Sequence, residues 1–158
     1  MNQTEYINCI IPKQKHIALI AHDNKKIELI DWVSQNVDGL SSHSLCGTGT
    51  TAKLISDNTT LSVKGYNSGP LGGDQQIGSR IVEGSINFVV FFWDPLESQP
   101  HDPDIKALLR IAVVYDIPIA TNRATADFLL NSFYMQNVYE HQVINYNKII
   151  ANRVGSKI

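Results

Sequence analysis

The sequence predicts an α/β domain: a doubly wound, five-stranded parallel sheet in a three-layer α/β/α sandwich. Three observations carry the prediction. Short apolar runs of strand length alternate with segments of helical period. The runs are apolar throughout, as in strands covered on both faces. Polar, glycine-rich clusters follow the runs, where ligands bind in open parallel sheets.

The first strand is Ile17–Ala21, within "HIALIAHD". A helix follows in "NKKIELIDWVSQNVDG", with Ile27, Ile30, Val33 and Val37 on one face, Asp23 or Asn24 as its cap and Gly39 as its end. "SHSLCGTGTTAKLISDN" reads as a short strand, a Gly/Thr turn and a short helix; "TTLSVKGYNSG" alternates weakly and supplies the third strand. "DQQIGSRIVEG" is a helix closed by Gly84, and Asp74 is placed to cap it. "INFVVFFWD" is the most apolar strand. In "HDPDIKALLRIAVVYD", Asp102 is the expected N-cap and Pro103 the first helical residue. "IPIAT" is the fifth strand and "NRATADFLLNS" starts another helix; beyond it the pattern weakens.

The bulk numbers narrow the function. A chain of 158 residues, 43% hydrophobic and 18% charged, suits one domain, residues 1–158, able to bury a full core. A formal net charge of −2 argues against a nucleic-acid partner bound through a broad basic surface. The N-terminus has no apolar signal region and no run approaches a membrane span, so a cytoplasmic protein with no membrane partner is expected. Cys9 and Cys46 have no metal-ligand spacing and read as free thiols, so no metal site is expected.

The polar clusters carry the chemistry. "GTGTT", Gly47–Thr51, combines glycine flexibility with three hydroxyls before a helix, a natural anion cradle or, equally, a plain Thr-capped turn without a P-loop lysine. Ser68-Gly69 offers a second turn. Lys26 is either a point charge for phosphate or a solvated lysine. His22 and His101 each follow a strand and can donate to a carbonyl oxygen or move a proton. Asp74, Asp94 and Asp104 are all candidate bases on chemical grounds.

Five motifs in order, "KHIALIAHD", "GTGTT", "SGPLGGDQQIG", "FFWDPLESQPHDPDIKALLR" and "IPIATNRATADFLL", resemble the methylglyoxal synthase family. The resemblance runs from about Lys15 to Leu130 and continues weakly to Arg153. It implies a lyase of methylglyoxal biosynthesis, a glycolytic bypass, that converts dihydroxyacetone phosphate to methylglyoxal and inorganic phosphate. It also implies a homohexamer, inhibition by phosphate, and neither metal nor cofactor. It makes Asp74 the catalytic base, with His101 and Asp104 beside it. It assigns the substrate to His22, Lys26, Thr48, Gly49, Thr50, Thr51, Ser68, Gly69 and His101, and supporting or intersubunit roles to Asp23, Asp94 and Arg153. Cys46-Gly47 stands where the family pattern has an aromatic and an alanine, and Arg123 where a small apolar residue is commoner.

The resemblance also resolves a conflict in "SGPLGGDQQIGSR", where a carboxylate sits in a loop suited to an anion. A base that takes a proton from a phosphorylated ligand must stand near its phosphate. The alternative is a non-catalytic module of the same fold that binds a phosphate-bearing or nucleotide effector; it would not need Asp74. A triose-phosphate isomerase would need an eight-stranded barrel, too long for five strands.

Overall fold

The computed structural model of the chain describes residues 5–155. Its central sheet has five parallel strands: β2 (His16–Ala21), β3 (Ser44–Thr48), β4 (Val63–Tyr66), β5 (Phe88–Phe92) and β6 (Ile119–Ala120). They lie in the order β4-β3-β2-β5-β6. Sequence order therefore reverses between β2 and β5. At such a switch point the loops diverge to opposite faces and leave a crevice at the carboxyl ends.

Alternating side chains divide the core into two layers. Ile17, Leu19 and Ala21 of β2 and Phe88, Val90 and Phe92 of β5 face one side. There they meet Leu29, Trp32 and Val33 of α1 (Lys26–Gln35), Leu40 of α2 (Val37–Leu40), Ile55 of α3 (Gly49–Asn58) and Ala126 of α6 (Arg123–Leu130). Ala18, Ile20, Val89 and Phe91 face the other side, against Ile77 and Ile81 of α4 (Gly73–Val82) and Ile105 and Leu108 of α5 (Asp102–Val114). The period of two along strands covered on both faces makes the three layers.

The helix ends differ from the sequence expectation. Asp23 and Asn24 do not cap α1; they form a 3₁₀ turn, Asp23–Lys25, and their side chains turn to other partners. The helix breaks at Asn36, and Gly39 lies inside α2 instead of closing α1. Ile27 is 83% exposed, because the buried face of α1 is set by Leu29, Trp32 and Val33. Asp102 is the first residue of α5, with His101 in the N-cap position and Pro103 one step further on. Asp74 lies in the first turn of α4 and makes no capping bond, so its side chain is released from the structural role that the sequence allowed. Gly84 follows α4 as expected, its N–H bonded to Ile81 O.

A second sheet was not legible in the sequence. β1 (Tyr6–Ile11) pairs antiparallel with β7 (Tyr139–Ile144), in register from Tyr6 with Ile144 to Ile11 with Tyr139. α7 (Tyr146–Gly155) is the last described element. Lys15 fastens this ribbon to the body. It is 2% exposed, and its ammonium donates to the carbonyls of Pro12 at 2.6 Å, Lys13 at 3.3 Å and Asn137 at 2.7 Å. A buried charge persists only when its donors are satisfied, and here main-chain carbonyls from both approaches to the ribbon satisfy it.

Lys15→Met keeps the stem but strips three carbonyls of a charged donor. A loss of about 1.5–3 kcal/mol is expected in denaturant unfolding. Amide exchange should accelerate in Tyr6–Ile11 and Tyr139–Ile144 more than in β2 and β5. Uniform acceleration would show that Lys15 supports the whole fold equally.

Candidate active site

The carboxyl ends of β2 and β5 open on a small cavity lined largely by polar residues. His22, Asp23 and Lys26 line it after β2, Thr48 to Thr51 after β3, Ser68, Gly69 and Asp74 after β4, and His101 after β5. The structure thus brings together eleven of the residues singled out in the sequence. Asp104 is not among them. It lies in the first turn of α5 and shares with Asp74 a second cleft between α4 and α5. Asp94 lies beside the cavity and Arg153 on the exposed face of α7.

His22 is held by the strand pairing itself. Its N–H continues the β2–β5 ladder by donating to Phe92 O at 3.2 Å. The N–H of Asp94 then donates to His22 Nδ1 at 3.1 Å. A ring nitrogen that accepts an N–H bond carries no proton, so neutral His22 carries its proton on Nε2. That atom is buried and bonded to no described residue. Burial first, and the nearby His101 second, lower the His22 pKa. Asp94 serves the site through its backbone, while its carboxylate accepts from Leu96 N–H and Asn24 Nδ2. Asn24 also donates to Glu97, tying the loop after β5 to the turn after β2.

Asp74 is 3% exposed. Burial raises its pKa, against the opposing pull of His101, and Asp104 raises it further. Its Oδ2 lies 3.5 Å from His101 Nε2, longer than a good hydrogen bond. The two His rings stand edge to face, 6.0 Å between centroids. Gly69 is wedged against this pair: a Cβ there would fall 2.8 Å from His101 Nε2 and 3.0 Å from Asp74 Oδ2. Only a residue without a side chain lets the loop pass so close.

The anion side of the cavity is built from two abutting turns. Gly49 has φ +44°, and a Cβ on it would strike Ser68 Cα at 2.8 Å. Its N–H is already engaged by Asn67 O at 3.0 Å. Gly49 therefore shapes the turn, leaving the hydroxyls and the first-turn N–H groups of α3 as donors. Thr51 Oγ1 is buried with no bond to a described residue. Lys26 Nζ donates to Thr50 Oγ1 at 2.8 Å and Asp23 Oδ1 at 2.5 Å, which holds its charge over the cavity mouth and lowers the Asp23 pKa.

Cys46, Gly47 and Arg123 do not line the cavity. Cys46 packs in the core, its thiol pushed up to about 11 by burial. Arg123 is latched to α1 through Asp31 at 2.8 Å and Gln35 at 2.7 Å. The sequence reading missed Gln99, Pro70 and the apolar floor of Ile20, Ala21 and Phe91. Gln99 lies within the motif "FFWDPLESQPHDPDIKALLR", but nothing in the spacing distinguishes it. Among the described residues, no group of three or more His, Cys, Asp or Glu could hold a metal ion, and no helix is long and apolar enough to cross a membrane.

These features are those of an MGS-like domain, whose family model matches residues 28–121. The chain is 61% identical to the methylglyoxal synthase of Clostridium acetobutylicum, over 84% of this chain and 92% of that one. It is 53% identical to that of Pectobacterium atrosepticum, over 95% and 99%. The crystal structure of methylglyoxal synthase from Elizabethkingia anophelis superposes with a TM-score of 0.86 at 46% identity, covering 91% of this chain and 95% of that one. The chain belongs to the methylglyoxal synthase family and is an enzyme.

Nitrogen-15 NMR of the imidazoles is expected to show His22 as the Nε2–H tautomer at neutral pH, titrating below the ordinary value of about 6.5. Because the folded pKa is lowered, the unfolded chain binds more protons in that window. The His22 contribution to stability is therefore full above the unfolded pKa and declines as pH falls through it. An Nδ1–H tautomer would break the assigned bond from Asp94.

Proposed function

We propose that the enzyme converts dihydroxyacetone phosphate to methylglyoxal and inorganic phosphate. The observation that carries this reading is Asp74, a buried carboxylate of raised pKa that lines one cavity with His22, His101, Lys26 and the Thr and Ser turns. Phosphate is held by Lys26, by Thr48, Thr50 and Thr51, and by Ser68 and Gly69, with Gly49 shaping the turn. Asp74 removes a proton from the hydroxymethyl carbon. The electron pair forms the C–C double bond, and charge moves to the carbonyl oxygen. Nε2–H of His22, or His101, donates to that oxygen.

The ene-diolate then collapses. The hydroxyl proton leaves, an aldehyde forms, the double bond shifts toward the phosphate-bearing carbon and the C–O bond to phosphate breaks. Of the two protons released, one ends on the enol oxygen and one on hydrogen phosphate. The enol becomes methylglyoxal. Asp104 acts through its charge on Asp74. Phosphate, as product, also inhibits. A homohexamer, in which Asp23, Asp94 and Arg153 support subunit contacts, would give a partner to exposed apolar residues such as Phe128 and Phe133.

Incubation with dihydroxyacetone phosphate, with methylglyoxal and free phosphate both measured, tests the reading. Equimolar release supports it; binding without release would favour an effector module. Asp74→Asn is expected to lower kcat by about 10⁴-fold or more, since the amide keeps the shape but cannot take the proton. The melting temperature should hold or rise, because a buried charge is removed. In the unsubstituted enzyme, kcat/KM should rise with pH through a value above the ordinary carboxylate figure of about 3.9, as burial dictates. Early melting with normal turnover would return Asp74 to a structural role.

Lys26→Ala is expected to raise KM by about ten- to a hundredfold, the worth of a charge-assisted bond to an anion. Inhibition by phosphate should weaken in parallel. An unchanged KM would leave Lys26 only as the partner of Asp23 and Thr50.

A further inference from the structure

We infer that Gln99 reads the three-carbon end of the substrate and sets specificity for it. This rests on the reaction proposed above. Gln99 is half-buried and lines the cavity together with His22, His101 and Asp74. Its backbone is fixed on both sides: its N–H donates to Asp102 Oδ1 at 3.3 Å and its carbonyl accepts from Asp102 N–H at 3.2 Å. Among the described residues, no hydrogen bond holds its side-chain amide. The pinned backbone fixes where the side chain starts, and the uncommitted amide keeps its donors and its acceptor available to a ligand.

Sheet order selects the end of the ligand that it meets. The Thr and Ser turns follow β3 and β4, on one side of β2, whereas Gln99 and His101 follow β5, on the other. Phosphate held by the first group directs the carbon chain toward the second. A neutral amide can donate to the hydroxyl or carbonyl oxygen there without the charge that would compete with Asp74 for a proton. The segment Asp94–Glu97, clamped by Asn24, holds the approach to Gln99 in place.

Steady-state kinetics of the purified full chain test this with two variants. Gln99→Ala deletes the side chain; Gln99→Met keeps its length but removes the amide. Both are expected to raise KM for dihydroxyacetone phosphate by about 3- to 10-fold, more than they lower kcat, while the inhibition constant of inorganic phosphate moves less than twofold. A Met variant with the original KM would reduce the contact to packing and overturn the inference. So would an inhibition constant rising in step with KM, which would put Gln99 at the phosphate end, or unchanged kinetics in both variants. An unsubstituted enzyme that releases no phosphate would overturn the proposed reaction and this inference together, whereas turnover with indifferent variants would overturn this inference alone.

Discussion

The site is organised by the parallel pairing of β2 with β5. Ala21 stands opposite Phe92, and the ladder runs one bond past the strand end through His22 N–H and Phe92 O. That bond fixes the His22 backbone, and the next residues of β5's loop supply the N–H that fixes its ring. The chain order reverses at the same boundary, so the loops part and the cavity opens there. One set of hydrogen bonds thus joins the two halves of the sheet, positions a donor and fixes its tautomer.

Against this frame, the site carries a charge that folding alone would avoid. Asp74 is buried and makes no cap, and its Oδ2 is bonded to no described residue. Burial raises its pKa, so between the unfolded and folded values the folded chain binds more protons. Stability from this group therefore falls as pH rises through that window. Such a cost, held in place by the packing of α4 and α5, fits the role of base proposed for Asp74. The neighbouring His101 offsets it in part, and Gly69 allows the two to approach the same loop.

The ribbon of β1 and β7 belongs to a different part of the energetics. Its residues are largely exposed, and few join the two core layers. Lys15, saturated by three carbonyls, holds the ribbon to the body at the end of the sheet where β2 begins. The candidate site lies at the opposite end of β2.

The sequence by itself determined the fold class, the five parallel strands and the loops that carry the site. Runs such as Ile17–Ala21 and Phe88–Phe92 are apolar on both faces, the pattern of a strand covered on both sides. The family's motifs then pointed to most of the cavity, because polar residues at strand ends have few structural reasons to cluster. Tertiary structure alone decided the rest. It paired β1 with β7 across more than a hundred residues, a half-exposed pairing that leaves little periodicity to read. It gave the N–H of Gly49 to Asn67 O, so that this residue shapes the turn. It moved Asp104 behind Asp74, assigned the proton of His22 to Nε2 and brought Gln99 to the cavity wall. Each of these depends on which segments the fold brings side by side. Local spacing carries no record of that.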